Sequence, residues 1–116
     1  PYRRQRQMCI RDSYKAAYNL GNLYLEQDKP NMAIEQYKKV LKLKPDFAYA
    51  YYNMGCAYLK LGKLRDARRN FLYAIDYNST VADFHYNMAY TCKKLNKPKD
   101  AQIYLDYYNK ITRNEN

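Results

Sequence analysis

The chain repeats itself every 34 residues. "YNLGNLY" at 18–24 returns as "YNMGCAY" at 52–58 and as "YNMAYTC" at 86–92. The second half of the unit recurs in step: "DKPNMAIEQYKKVL", "GKLRDARRNFLYAI" and "NKPKDAQIYLDYYN" begin at Asp28, Gly62 and Asn96. Self-similarity at a fixed period of this size marks a stacked repeat protein, in which each unit buries its apolar face on the next. Three units, 14–47, 48–81 and 82–115, account for nearly everything after residue 13.

Each unit predicts two helices, the first at 14–26, 47–61 and 81–95 and the second at 30–43, 64–77 and 98–112. The breaks between them have a mechanism. Asp28, Gly62 and Asn96 share one site, and these residue types tolerate the left-handed conformation that ends a helix. Pro30 and Pro98 stand two residues on, where a new helix needs no backbone donor. Asp46 and Thr80 are expected N-caps, with Pro45 breaking the helix before. With 3 Gly and 4 Pro in 116 residues, the chain has too few turn formers for a β-rich fold.

Gly21, Gly55 and Ala89 occupy one helical site, although glycine inside a helix costs about 1 kcal/mol relative to alanine. Ala33, Ala67 and Ala101 occupy another. Small residues facing each other let paired helices approach closely, with Tyr24, Tyr58, Tyr37 and Phe71 filling the space around them. The propensity loss is then offset by packing.

These residues resemble the tetratricopeptide repeat (TPR) family, whose 34-residue helix-turn-helix unit carries Leu-Gly, Tyr, Ala, aromatic, Ala and Pro at set spacings. Leu20-Gly21, Tyr24, Ala33, Tyr37 and Pro45 fit in the first unit. Met54-Gly55, Tyr58, Ala67, Phe71 and Ala74 fit in the second. The third holds Met88-Ala89, Cys92, Ala101 and Leu105, with Tyr108 in place of a small residue. Ala17, Tyr51 and His85 stand where the family has Trp. The resemblance implies an all-α right-handed solenoid of six helices, with the first helices lining a concave groove and the second helices forming the convex side.

Residues 1–13, "PYRRQRQMCIRDS", fall outside the pattern. In repeat register Arg3 lands on the Tyr37 site and Arg6 on the Val40 site, and unpaired arginines do not fill a core. The segment reads as non-native, adapter-derived sequence or a disordered arm, the alternative being a basic arm for an acidic surface. At the other end, the second helix of unit three presents Tyr104, Leu105, Tyr108 and Ile111 with no capping helix after it. A window on a longer array, or self-association through this face, is the expectation.

The chemistry-bearing residues point to binding rather than catalysis. Phosphate loops, paired carboxylates and nucleophile–base sets are not found, so no enzymatic activity, cofactor or metal site is expected. Three cysteines without CxxC spacing give neither a disulfide framework nor a zinc signature and fit a reducing, cytoplasmic setting. His85 and Cys92 read as core residues, and Cys56 as an inner-face thiol. No apolar run approaches membrane-spanning length.

The charge of +10 sits largely on the second helices, at Lys38, Lys39, Lys42, Lys44, Arg65, Arg68 and Arg69. A solvated convex surface is the simplest account, and docking of an acidic protein comes next. RNA binding is disfavoured because no accessible aromatics interleave with these charges.

On the inner face, Tyr18, Tyr52 and Tyr86 recur beside Asn19, Asn53 and Asn87, with Asn22, Cys56 and Tyr90 one turn on. Asparagine is a poor interior helix residue. At one level in three stacked helices it forms a ladder of amides that can pair with peptide N–H and C=O groups whatever the peptide sequence. Glycosyltransferase repeats of this family hold extended peptides in that way. The family's carboxylate clamp fits less well: Asn22 and Asn53 match, but Tyr18 and Asp83 replace its two lysines and Asn87 its fifth, cationic member. The implied function is a scaffold that binds an extended peptide or partner helix in the groove. The alternatives are the substrate-presenting region of a larger enzyme such as a glycosyltransferase, and an RNA-binding helical repeat.

Overall fold

The computed structural model describes the backbone of residues 2–114 and the side chains of residues 14–114. The elements are α1 (Tyr2–Glu26), α2 (Pro30–Leu43), α3 (Ala48–Lys60), α4 (Leu64–Tyr77), α5 (Ala82–Lys94) and α6 (Pro98–Asn114). All six helices fall where the period places them, and α1 starts earlier than the expected 14. The reading of residues 1–13, with Arg3 and Arg6 at core sites, lies outside the described side chains.

Successive helices pair as hairpins, α1 with α2, α3 with α4 and α5 with α6, and α2–α3 and α4–α5 contacts join the hairpins. The stack is a right-handed solenoid measuring 54 × 32 × 20 Å. Because α1 and α3 also touch directly, the first helices close on one another along the inner side of the curve.

The hairpin turns follow from the residues at their tips. Asp28, Gly62 and Asn96 have φ of 60°, 73° and 61°, the left-handed conformation their side chains permit. Each tip is closed by the same two hydrogen bonds. Lys29 N–H reaches Tyr24 O at 2.8 Å and Asp28 N–H reaches Leu25 O at 3.1 Å. The matching bonds at the next two tips run from Lys63 to Tyr58 and Gly62 to Leu59, then from Lys97 to Cys92 and Asn96 to Lys93. This arrangement satisfies carbonyls that a helix end otherwise leaves orphaned.

The expected N-caps are displaced by one residue. Phe47 and Val81 hold the cap positions of α3 and α5, and neither makes a side-chain cap bond. Tertiary packing sets this register: the Phe47 ring lies 5.0 Å from Tyr18 and 5.9 Å from Tyr14, both near edge-on. Thr80 instead donates from its N–H and its Oγ1 to Asn78 Oδ1, at 3.1 and 2.6 Å.

The glycines prove to face rings rather than small residues. A Cβ on Gly21 would stand 2.7 Å from Tyr37 Cε1, and one on Gly55 would stand 2.6 Å from Phe71 Cε1. In unit three the same pair is Ala89 and Leu105, where a branched side chain replaces the ring. Ala33, Ala67 and Ala101 are buried in the core clusters beside these groups.

His85 packs as expected, buried with its ring 5.3 Å from that of Tyr107 and 6.1 Å from that of Tyr104. Its Nε2 lies 2.8 Å from Ser79 O, so that nitrogen carries the proton. Tyr51, at the same site in unit two, donates to Pro45 O at 3.2 Å. Cys92 is fully buried. On α6 the expected apolar face is rearranged: Tyr104, Leu105, Tyr108 and Ile111 are half-buried, and the exposed apolar side chains are Ile103 and Tyr107. Tyr104 turns toward the core, and the Tyr108 ring lies against Tyr86.

Candidate functional site

The inner surface is built from α1, α3 and α5, whose 34-residue register brings equivalent side chains level. Asn53 Nδ2 donates to Tyr18 Oη and to Asn22 Oδ1, both at 3.0 Å. Asn22 Oδ1 also accepts from the Tyr37 hydroxyl at 2.6 Å. In the next unit Asn87 Nδ2 donates to Tyr52 Oη at 2.6 Å. Each asparagine therefore reaches back to the tyrosine one unit earlier and ties neighbouring repeats together.

This arrangement alters the chemistry open to the ladder. A primary amide has two N–H donors and one acceptor oxygen. Both donors of Asn53 are used inside the protein, while among the described residues its Oδ1 makes no such bond and is able to accept a peptide N–H. Asn87 keeps one donor and its oxygen, and Asn19 stands exposed at the end of the row. The expected two-point pairing with a peptide group is thus unavailable to Asn53 in this conformation. Around the row, Tyr86 and Tyr90 are exposed, as is Tyr49, whose ring packs edge-on against Phe84 at 5.2 Å.

Two members of the site escaped sequence reasoning. Tyr37 reads there as a core filler, yet its hydroxyl is buried and anchors Asn22. The signal was available: where unit one has Tyr37 with Asn22, unit two has Phe71 with Cys56, so the hydroxyl and its acceptor come and go together. Tyr49 lies one helical turn before Tyr52 and so shares its face.

Burial sets the ionisation of these groups. It pushes the phenols of Tyr18, Tyr37 and Tyr52 above their usual range, so all three remain neutral donors near pH 7. The Cys56 thiol is pushed up to about 11, again by burial. A neutral thiol is a poor nucleophile, which makes Cys56 unreactive at neutral pH. A folded-state pKa raised above the unfolded value gives stability that is complete below the unfolded value and lost as pH rises through the folded one. For Cys56 that window runs from its ordinary 9.0 to about 11, and the buried phenols extend it upward. Urea midpoints should hold level to about pH 9 and fall beyond it. Cys56→Ala should lessen the early part of the decline.

Among the described residues, no helix is long and apolar enough to cross a membrane, and no three His, Cys, Asp or Glu side chains gather at metal-binding distance.

Comparison with known proteins agrees with this architecture. The family model described as TPR repeat matches residues 21–62, and that described as tetratricopeptide repeat matches residues 48–80. No curated protein matches the sequence. Among solved structures, MamA 41-end from Desulfovibrio magneticus RS-1 is 20% identical with a TM-score of 0.84, over 89% of this chain and 58% of that one. A crystal structure of MamA is 25% identical with a TM-score of 0.82, over 91% and 63%. The chain thus spans less than two thirds of these MamA structures. The first TPR of Spaghetti (RPAP3), bound to the HSP90 peptide SRMEEVD, is 21% identical with a TM-score of 0.85, over 89% and 82%. Period, turn chemistry, helix pairing and these matches agree: the chain belongs to the tetratricopeptide repeat family.

Proposed function

We propose that this chain is a protein-interaction scaffold that takes an extended peptide along the inner surface of α1, α3 and α5. The observation that carries this reading is the level row of Tyr and Asn side chains with unused amide oxygens at Asn53 and Asn87, flanked by exposed Tyr86 and Tyr90. Acceptor oxygens at repeat spacing suit a line of peptide N–H groups, and exposed tyrosines supply large contact area at low entropic cost. The HSP90 peptide complexes of the Spaghetti TPRs support peptide binding as a use of this fold. An acidic C-terminus of that kind fits poorly here, because exposed Asp83 stands where the family's clamp has lysine and would repel a carboxylate.

Tyr86→Ala and Tyr90→Ala test the groove without touching the ties between repeats. Against peptides selected for binding to the intact chain, each should weaken affinity about ten-fold, about 1.4 kcal/mol, in titration calorimetry. Asn19→Ala should cost less, and Lys39→Ala on the outer face should change nothing. Normal binding by both tyrosine variants, with loss in the outer-face variant, would place the site on the convex surface instead.

A further inference from the structure

The outer surface contains one place where the chain departs from its own repeat. In unit one, position 34 is an isoleucine buried in the cluster of Ala33, Tyr37, Met54 and Ala57, with Leu61 packed against it. The equivalent residue of unit two is Arg68, and that of unit three is Gln102. An arginine at a position made for isoleucine cannot close the seam. Between α4 and the α5–α6 turn there is instead a cleft of about 500 Å³, lined by Arg65, Arg68, Arg69, Leu72, Leu95 and Lys97. The corresponding residues one unit earlier are Asn31, Ile34, Glu35, Lys38, Leu61 and Lys63, so the three arginines are particular to this seam.

Arg68 is not the solvated surface residue that the sequence suggests. It is half-buried, and its Nε is buried without a hydrogen-bond partner. The ion pairs of the described residues leave most of the cleft's charge uncompensated. Asp66 lies 3.5 Å from Arg69, with both side chains substantially exposed, while among the described residues Arg65, Arg68 and Lys97 have no carboxylate within ion-pair distance. No carboxylate lines the cleft. Guanidinium groups present planar forks that match phosphate oxygens, and several cations converging on one recess favour a dianion over a single carboxylate.

We propose that this cleft binds a phosphate monoester carried on a side chain of a partner protein. Single-stranded nucleic acid is disfavoured because no aromatic side chain lines the cleft to stack a base. A lipid surface is disfavoured because the charges line a recess rather than an exposed face. Leu72 and Leu95 provide apolar walls for the residues flanking the phosphate. The site is separate from the inner groove and does not rest on the peptide reading given above.

The test is an amide NMR titration of the whole chain with N-acetyl-phosphoserine methylamide. Saturable shifts confined to residues near Arg65, Arg68 and Lys97 are expected, with little response to the unphosphorylated compound. Two variants come from the repeat itself. Arg68→Ile restores the residue of unit one and should raise the melting temperature while weakening binding at least ten-fold. Arg68→Gln, the residue of unit three, should weaken binding similarly and serves if the isoleucine variant folds poorly. Tyr86→Ala should leave phosphoserine binding unchanged. Equal shifts with sodium chloride at matched ionic strength would overturn the proposal, as would undiminished binding by both Arg68 variants. Tighter, Arg68-dependent binding of an oligouridine, or of vesicles containing a phosphoinositide, would assign the cleft to a different partner and overturn it as stated.

Discussion

Replacing Gly55 with alanine is expected to lower stability by about 1–3 kcal/mol, the range for forcing extra volume into a well-packed core. On propensity alone the change should stabilise α3 by about 1 kcal/mol. The structure reverses the sign. The new Cβ would meet Phe71 Cε1 at 2.6 Å and Cδ1 at 2.8 Å, and Phe71 is fully buried, so its ring has no free space into which to turn. Unit three contains the natural compensation, Ala89 with Leu105. Phe71→Leu alone should destabilise by opening space against Gly55. Combined with Gly55→Ala it should recover much of the loss, giving a double-mutant cycle far from additive. Urea unfolding of the four proteins reads this directly. An additive cycle would mean that the two residues do not compete for the same space.

The helices and their order are legible in the sequence because the decisive signals are local and repeated three times. Asp28, Gly62 and Asn96 adopt the left-handed turn, and α2 and α6 begin at Pro30 and Pro98. What depends on direction in space was harder to read. The N-caps shift to Phe47 and Val81 because aromatic and aliphatic packing sets the entry angle, which no local cap rule contains. The glycine partner is an aromatic ring sixteen residues on, not the alanine, because residues on a helix project toward its N-terminal side. Arg68 reads as one more charge on an outer helix until it is compared with Ile34, when the period shows that the position belongs to a core. The hydrogen bonds of the inner row lie beyond what the period can show: pattern shows which residues are level, whereas distance decides which donors are already used.

That distinction governs the second large effect, at Asn22. Its Oδ1 accepts from the Tyr37 hydroxyl at 2.6 Å and from Asn53 Nδ2 at 3.0 Å, and Tyr37 is fully buried. Asn22→Ala should cost about 2–3 kcal/mol, because it strands a buried hydroxyl and frees one amide hydrogen; leaving a buried donor unpaired costs about 1–3 kcal/mol. Adding Tyr37→Phe should restore part of the loss, since unit two is built with Phe71 and Cys56 at these sites and needs no such bond. If Asn22→Ala is harmless in urea unfolding, the hydroxyl has found water and the network is not a tie between repeats. If the expected loss is seen, reduced peptide affinity in Asn22 or Asn53 variants measures the scaffold as well as the contact. A loss in Tyr86 or Tyr90 variants, whose exposed side chains make none of these hydrogen bonds, then reports on the groove itself.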